Sequence, residues 1–260
     1  MRGPLDSEAL HEALVTSGTP WTGVDVHPTL GSTNAEAARL ARPFHVVVTD
    51  HQQAGRGRLG RTWETPASTS VTMSVLLPAP DAGRGWMPLV TGLAVRDAVA
   101  EVTGLQADLK WPNDVLLPAD DERKVCGILC ELQPGGVVVG LGINVDQSRE
   151  ELPVDTATSL RLAGAADVRR EDLVVAVLER LAHWHALLSS GPQGRAEVHT
   201  AYRRACVTIG REVDLHVTGG DVRRVRAVGV DDDGRLVVTG ASGEYAVAAG
   251  DVVHVRSAAG

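Results

Sequence analysis

Of the 25 basic residues in this chain, 23 are arginine and two are lysine, Lys110 and Lys124. A lysine is a compact, strongly hydrated point charge with three donors, which a forked guanidinium cannot imitate in a tight site. A chain so biased toward arginine that keeps lysine at two nearby places marks both as candidates for chemistry on anions. The second candidate is Gly55-Arg56-Gly57-Arg58-Leu59-Gly60-Arg61, which puts Arg56, Arg58 and Arg61 on a glycine-rich strap whose backbone can approach a ligand. Like charges this close repel, and only Leu59 and Trp63 offer apolar anchors. The strap is therefore expected to be mobile when empty and to order over an anion, its guanidiniums forking carboxylate or phosphate oxygens.

The strap formally satisfies G-x-G-x-x-G, but a dinucleotide fingerprint opens a helix that receives the pyrophosphate. Here Arg61-Thr62-Trp63-Glu64-Thr65-Pro66 leads toward a strand, and no Gly-Lys-Ser/Thr follows to make a P-loop. A dehydrogenase fails on the missing helix. No serine or cysteine nucleophile with a histidine partner is signalled, and none of the nine histidines has HExxH-like spacing. Cys126 and Cys130, C-x3-C on an expected strand, read as core rather than as metal ligands.

Activating a carboxylate with a nucleotide requires cations at the phosphates, a pocket for the acid, an aromatic face for a base and a lid that excludes water. The chain supplies candidates in order: Ser32-Thr33-Asn34 for polar recognition, the arginine strap as lid, Trp63 as stacking face, Lys110-Trp111-Pro112-Asn113-Asp114, then Lys124, and residues 140–145 (GLGINV).

The elements that must position these residues follow from periodicity and punctuation. Residues 6–16 read as a short helix, and Ser32 or Thr33 as the N-cap of another, with Glu36 in its first turn. Residues 44–49 and 70–77 read as strands, and 86–102 as a helix stopped by Gly104. Residues 109–117 read as strand, Pro-Asn-Asp turn and strand, because Pro112 cannot sit inside a sheet. Residues 124–132 and 137–145 form a hairpin, and 171–190 and 193–206 are helices. From 213 to 255 the chain turns to short β-runs separated by turns at Gly219-Gly220, 231–234 and 240–243, the spacing of a small barrel. The expectation is an α+β protein: residues 1–207 as a mixed-sheet body flanked by helices, residues 208–260 as a β-barrel domain.

Composition bounds the rest. The 260 residues are 43% hydrophobic, enough for a core, and carry a net charge of −8, which leaves no general basic surface for nucleic acid or membrane. Three cysteines argue against a disulfide framework, and neither an export signal nor an apolar run of membrane-spanning length is present, so a cytoplasmic protein is expected.

Ser32-Thr33-Asn34, Gln52-Gln53-Ala54-Gly55-Arg56-Gly57-Arg58, Lys110-Trp111-Pro112-Asn113-Asp114, Lys124-Val125-Cys126-Gly127 and Gly142-Ile143-Asn144 together resemble the biotin protein ligases, from about residue 30 to the C-terminus. The resemblance implies a catalytic domain related to class II tRNA synthetases followed by a small SH3-like barrel. It implies ATP-dependent activation of biotin to biotinyl-5′-AMP, then transfer to a lysine of a biotin carboxyl carrier protein domain of acetyl-CoA carboxylase or a related carboxylase. Carried over residue by residue, it assigns biotin to Ser32, Thr33, Asn34, Gln52, Arg56, Gly57, Arg58, Lys124 and Gly127. It assigns the nucleotide to Trp63, Arg61, Lys110, Asn113 and Asn144, with Lys124, Arg58 and Lys110 as the catalytic cations. Mg²⁺ is implied as a phosphate partner, with Asp114 a weak candidate to hold it.

Only 31 residues precede Ser32, too few for the winged helix-turn-helix that some members carry, so no operator binding is expected. A lipoate or octanoate ligase or transferase is the nearest rival, and a non-catalytic biotin or nucleotide sensor the second; the sensor would survive loss of Lys124. An exposed strand edge could pair with a second copy, making a homodimer, or with the carrier.

Overall fold

Apolar residues at every second position of three strands divide this protein into two layers. The computed structural model describes residues 2–16, 18–216, 222–240, 243–248 and 251–254. In chain order the elements are α1 (Ser7–Leu14), β1 (Gly23–His27), α2 (Thr33–Leu40), β2 (His45–Thr49), β3 (Gly55–Arg56), β4 (Thr62–Trp63), β5 (Ser70–Leu77) and α3 (Met87–Thr103). There follow β6 (Asp108–Lys110), β7 (Asp114–Leu117), β8 (Arg123–Gln133), β9 (Gly136–Asn144), α4 (Arg170–Ser189) and α5 (Pro192–Ala205). Last come β10 (Glu212–His216), β11 (Val222–Val230), β12 (Leu236–Gly240), β13 (Gly243–Val247) and β14 (Asp251–His254).

Seven strands form a mixed sheet in the order β1-β2-β5-β9-β8-β7-β6, with β1 and β2 parallel and the other pairs antiparallel. Side chains alternate across a pleated sheet. Val46 and Val48 of β2, Val75 and Leu77 of β5, and Val137 and Val139 of β9 face the main core with α1, α3, α4 and α5, whereas Val47, Leu76 and Val138 form a small second cluster under α2. Cys126 and Cys130 fall on the main-core side, as their core reading requires. Beyond that small cluster the second face carries Ser70, Thr72, Ser74, Gly140, Gly142 and Asn144, with the first turn of α2 lying over Ser74 and Gly140. Small and polar residues on a sheet face otherwise flanked by valine and leucine make a floor rather than a core.

Local punctuation agrees with the sequence reading. Ser32 is the N-cap of α2, in extended conformation, its Oγ accepting from Ala35 N, and Gly104 ends α3 in the left-handed region at φ 73°.

The tail expected as a small SH3-like barrel is a five-stranded antiparallel sheet in the order β13-β12-β11-β10-β14. The turn expected at Gly219-Gly220 and the middle of that at 240–243 lie outside the described residues. The turn at 231–234, between β11 and β12, is plugged into the helix-flanked body. Trp86 Nε1 donates to the Asp231 and Asp232 carbonyls, Trp111 Nε1 donates to Gly234 O at 3.0 Å, and Arg203 donates to Val230 O. Both tryptophans are fully or almost fully buried.

Candidate active site

Two segments zip together at one end of the polar floor. Gln53 N and Ala54 N donate to Leu30 O and Gly31 O, which brings the start of α2 against residues 52–54. Gln52 Oε1 then accepts from Thr33 N at 2.9 Å and lies 3.2 Å from Thr33 Oγ1. Ser74 Oγ, rising from β5, sits 2.7 Å from Thr33 Oγ1 and 2.6 Å from Asn34 Oδ1. Upstream, the buried pair Arg170–Asp50 at 2.7 Å fixes the chain just before His51-Gln52.

These residues line the closed end of a narrow chamber of about 120 Å³. Ser32, Thr33, Asn34, Gln52, Arg56, Gly57, Arg58, Asn113, Lys124 and Gly127 all reach it, so the structure brings together every residue expected to contact biotin. Gly127 and Gly142 form its floor beneath the Trp63 indole. A Cβ at Gly142 would lie 2.4 Å from Trp63 Cε2 and one at Gly127 2.9 Å from Cζ3, so only glycine lets the ring settle there. Trp63 Nε1 is buried without a hydrogen-bond partner among the described residues.

A wider groove of about 1510 Å³ opens beyond that ring. Trp63, Arg61, Asp114 and Lys124 border both spaces, and Lys110, Asn144, Glu122 and Arg211 border the groove. Four of the five residues expected to bind a nucleotide therefore stand at the groove. Asn113 does not. Its Nδ2 donates to Ile128 O at 2.9 Å, its backbone carbonyl accepts from Ile128 N, and its Oδ1 lies 3.5 Å from Arg58 Nη1, so it braces the inner chamber against β8. Asn144 is buried; Nδ2 donates to Thr158 O and Oδ1 accepts from Gln147, leaving one amide hydrogen outside these bonds. Asn34 is likewise committed: Nδ2 donates to Glu131 Oε2 at 2.6 Å, and Oδ1 faces Ser74.

Lys124 lies at the junction of the two spaces, and Lys110 borders the outer groove. Lys124 is clamped through its backbone to Thr156 and Thr158, and its Nζ pairs with Asp114 at 2.6 Å and lies 5.8 Å from the centre of the Trp63 ring. Among the described residues Lys110 forms no hydrogen bond or ion pair, and burial lowers its pKa, an effect that Asp114 opposes and Lys124 reinforces. Burial also lowers the pKa of Arg58. Lys110, desolvated and without a partner among the described residues, is poised to take an anionic one. The acidic loop before Lys124 stays out of its way, because Asp120 is held by Arg123, Arg149 and Thr158, and Glu122 pairs with Arg211.

The strap departs from expectation in one respect. It folds as a ribbon in which β3 pairs with β4, Gly55 opposite Trp63. Leu59 sits at its tip with φ 56° and is 68% exposed, so it anchors nothing. Trp63 alone holds the ribbon's apolar side, and Arg56 pairs instead with Glu131 at 3.3 Å. Sequence reasoning missed Thr72, Ser74 and Glu131. The signal for the first two was present: Ser70, Thr72 and Ser74 alternate with apolar residues along β5 and are all buried.

The biotin/lipoate A/B protein ligase family matches residues 34–148, and the biotin protein ligase C terminal domain matches residues 208–255. The chain is 37% identical to the biotin--[acetyl-CoA-carboxylase] ligase of Mycobacterium tuberculosis over 98% of both chains. It is 32% identical to the ligase of the same name from Paracoccus denitrificans, over 85% of this chain and 96% of that one. The structure of biotin protein ligase from Aquifex aeolicus in complex with biotin and ATP superposes with a TM-score of 0.78 at 28% identity, covering 91% of this chain and all of that one.

Proposed function

The chain belongs to the biotin protein ligase family as an ATP-dependent biotin ligase, and from that premise we propose how its own residues divide the work. The inner chamber takes biotin, the outer groove takes ATP, and Lys124 stands where the two meet, with Arg58 on the chamber side and Lys110 on the groove side. The observation that carries this reading is the position of Lys124 and Trp63, which border both spaces.

In the first half-reaction a biotin carboxylate oxygen attacks the α-phosphorus of ATP, the bond to the β-phosphate oxygen breaks, and pyrophosphate leaves. Two anions must meet, so the repulsion between them has to be offset by fixed positive charge as the new bond forms. Thr33 and Gln52 hold the ring end of biotin, which aims its carboxylate toward the junction. Lys124, fixed between Asp114 and the Trp63 face, neutralises the reacting oxygens, and Lys110 and Arg61 receive the phosphates. In the second half-reaction the neutral amine of a carrier lysine attacks the acyl carbon, AMP leaves, and the amine gives up a proton as the amide forms. Until then Trp63 and the strap keep water from the mixed anhydride.

Among the described residues no group of three or more His, Cys, Asp or Glu side chains could hold a metal ion, and Asp114 is already paired with Lys124. Mg²⁺ would enter on the phosphates of ATP, where it would neutralise their charge, rather than in a cage of side chains among the described residues. The acceptor is proposed to be the biotin carrier domain of acetyl-CoA carboxylase, as the names of the relatives in the two bacteria suggest. We propose the division between a catalytic domain and the C-terminal sheet at 207/208, a reading supported by the end of α5 at Ala205. Among the described residues no helix is long and apolar enough to cross a membrane.

The test separates the half-reactions. Lys110→Ala is expected to lose biotin-dependent ATP–pyrophosphate exchange while transferring biotin from supplied biotinyl-5′-AMP within a few-fold of wild type, since no polyphosphate remains to be held. Lys124→Ala is expected to lose exchange by on the order of 100-fold, the effect of removing one preorganised donor. Full exchange in both variants would overturn the assignment.

A further inference from the structure

Glu131 is out of place on electrostatic grounds. It lies on β8, opposite Val138 of β9 and on the site face of the sheet, behind Asn34 and Arg56, which line a cavity that gathers arginine and lysine. An uncompensated carboxylate there works against every anion that approaches. Its contacts explain its presence. Glu131 Oε2 accepts from Asn34 Nδ2 at 2.6 Å, and its carboxylate pairs with Arg56 Nη2 at 3.3 Å. Among the described residues this is the only contact that the Arg56 side chain makes, so the remaining guanidinium donors are left for a ligand.

One polar chain therefore runs from the closed end of the chamber to the lid: Gln52 to Thr33, Thr33 to Ser74, Ser74 to Asn34, Asn34 to Glu131, Glu131 to Arg56. Asn34 is buried, and its amide is oriented by a hydroxyl at one end and by Glu131 at the other. Glu131 is the only charged member before the strap and the one whose side chain joins α2 to the ribbon.

Resting on the ligase reading above, we propose that Glu131 is a positioning residue. Without touching substrate, it sets the Asn34 amide and holds the strap in register over the chamber through Arg56. The Arg56 guanidinium is thereby held at the chamber before any ligand arrives, and part of the ordering cost of the strap is met by the protein itself.

Three variants test this. Glu131→Gln keeps an oxygen acceptor for Asn34 and loses the charge that holds Arg56, Glu131→Ala loses both, and Glu131→Asp keeps the charge on a shorter stem. Two readouts apply: trypsin cleavage after Arg56, Arg58 and Arg61 without ligand, and the biotin dependence of ATP–pyrophosphate exchange. Glu131→Gln is expected to speed strap cleavage and raise the biotin KM by about two- to five-fold, the range open to a half-exposed ion pair, with kcat unchanged. Glu131→Ala should exceed it in KM, and Glu131→Asp should restore part of the loss. Wild-type cleavage rates and an unchanged biotin KM in all three would overturn the proposal, as would a fall in kcat alone. If the wild type itself shows no biotin-dependent exchange, the ligase reading fails, and the cleavage rates still decide the Glu131 assignment.

Discussion

Gly142→Ala isolates the link between the chamber floor and the strap. A methyl group at 142 would lie 2.4 Å from Trp63 Cε2 and 2.5 Å from Nε1. Ordinary carbon contacts lie at about 3.5–4.0 Å, so the ring must retreat by about 1 Å or more. The floor cannot give way instead, because Gly142 is paired on both sides, with Thr72 of β5 and Gly127 of β8. Trp63 in turn is paired with Gly55 in the ribbon, so displacing the ring lifts the segment that carries Arg56. Overpacking of this kind costs about 1–3 kcal/mol. At about 1.4 kcal/mol per decade, the biotin KM in ATP–pyrophosphate exchange should rise about five- to hundred-fold. The decisive assay is a double-mutant cycle. In a Trp63→Ala background the methyl meets no ring, so adding Gly142→Ala should change KM little, and the two substitutions should couple by at least 0.5 kcal/mol, about the lower end for residues in contact. An unchanged KM in Gly142→Ala, or two effects that simply add, would refute the claim that Trp63 is seated on this floor.

Three further outcomes follow from the same geometry. Because burial lowers the Lys110 pKa below 10.5, its charge should be lost as pH rises before an ordinary lysine would deprotonate; exchange should fall on the alkaline side accordingly, and Lys110→Arg, which stays protonated, should lower the rate but move that limb to higher pH. The same shift means that the folded chain binds fewer protons at this group than the unfolded chain between the two pKa values, so its burial penalty eases as pH rises through that window. Burial pushes the Cys130 thiol up to about 12 and raises that of Cys126 as well, so iodoacetamide at pH 8 should leave both unmodified in the native protein and label both in urea, as mass spectrometry would show. Trp111→Phe keeps the ring but removes the donor to Gly234 O, leaving a carbonyl unpaired; unfolding experiments should show a loss of about 1–3 kcal/mol.

What the sequence revealed and what it concealed differ by range of interaction. Local signals were legible: the Ser32 cap, the Gly104 stop, the hairpin of β8 and β9, and the turn that places Lys110 beside Asp114 all depend on neighbours within a few residues. The candidate site was legible as a set of motifs, and the fold does bring Ser32, Gln52, Arg58, Lys124 and Gly127 around one chamber. Roles inside that chamber were less so. Asn34 and Asn113 read as ligand contacts and both line the chamber, but the sequence did not show that Asn34 also bonds Ser74 and Glu131, or that Asn113 bonds Ile128 on the neighbouring strand. Glu131 lies 75 positions from its strap partner, and nothing local announces the pair. Leu59 looked like an anchor because it is apolar, but a left-handed backbone at the ribbon tip points it into solvent. The plug of the turn at 231–234 beneath Trp86 and Trp111 joins residues more than 120 positions apart, and only the folded chain shows it.

The central claim is that the inner chamber selects biotin and that the junction cations activate it with ATP. The most direct measurement is ATP–pyrophosphate exchange by the wild-type protein with biotin, with lipoate and with neither acid. The account predicts exchange that requires biotin. Exchange supported by lipoate instead, or none with either acid, would contradict it.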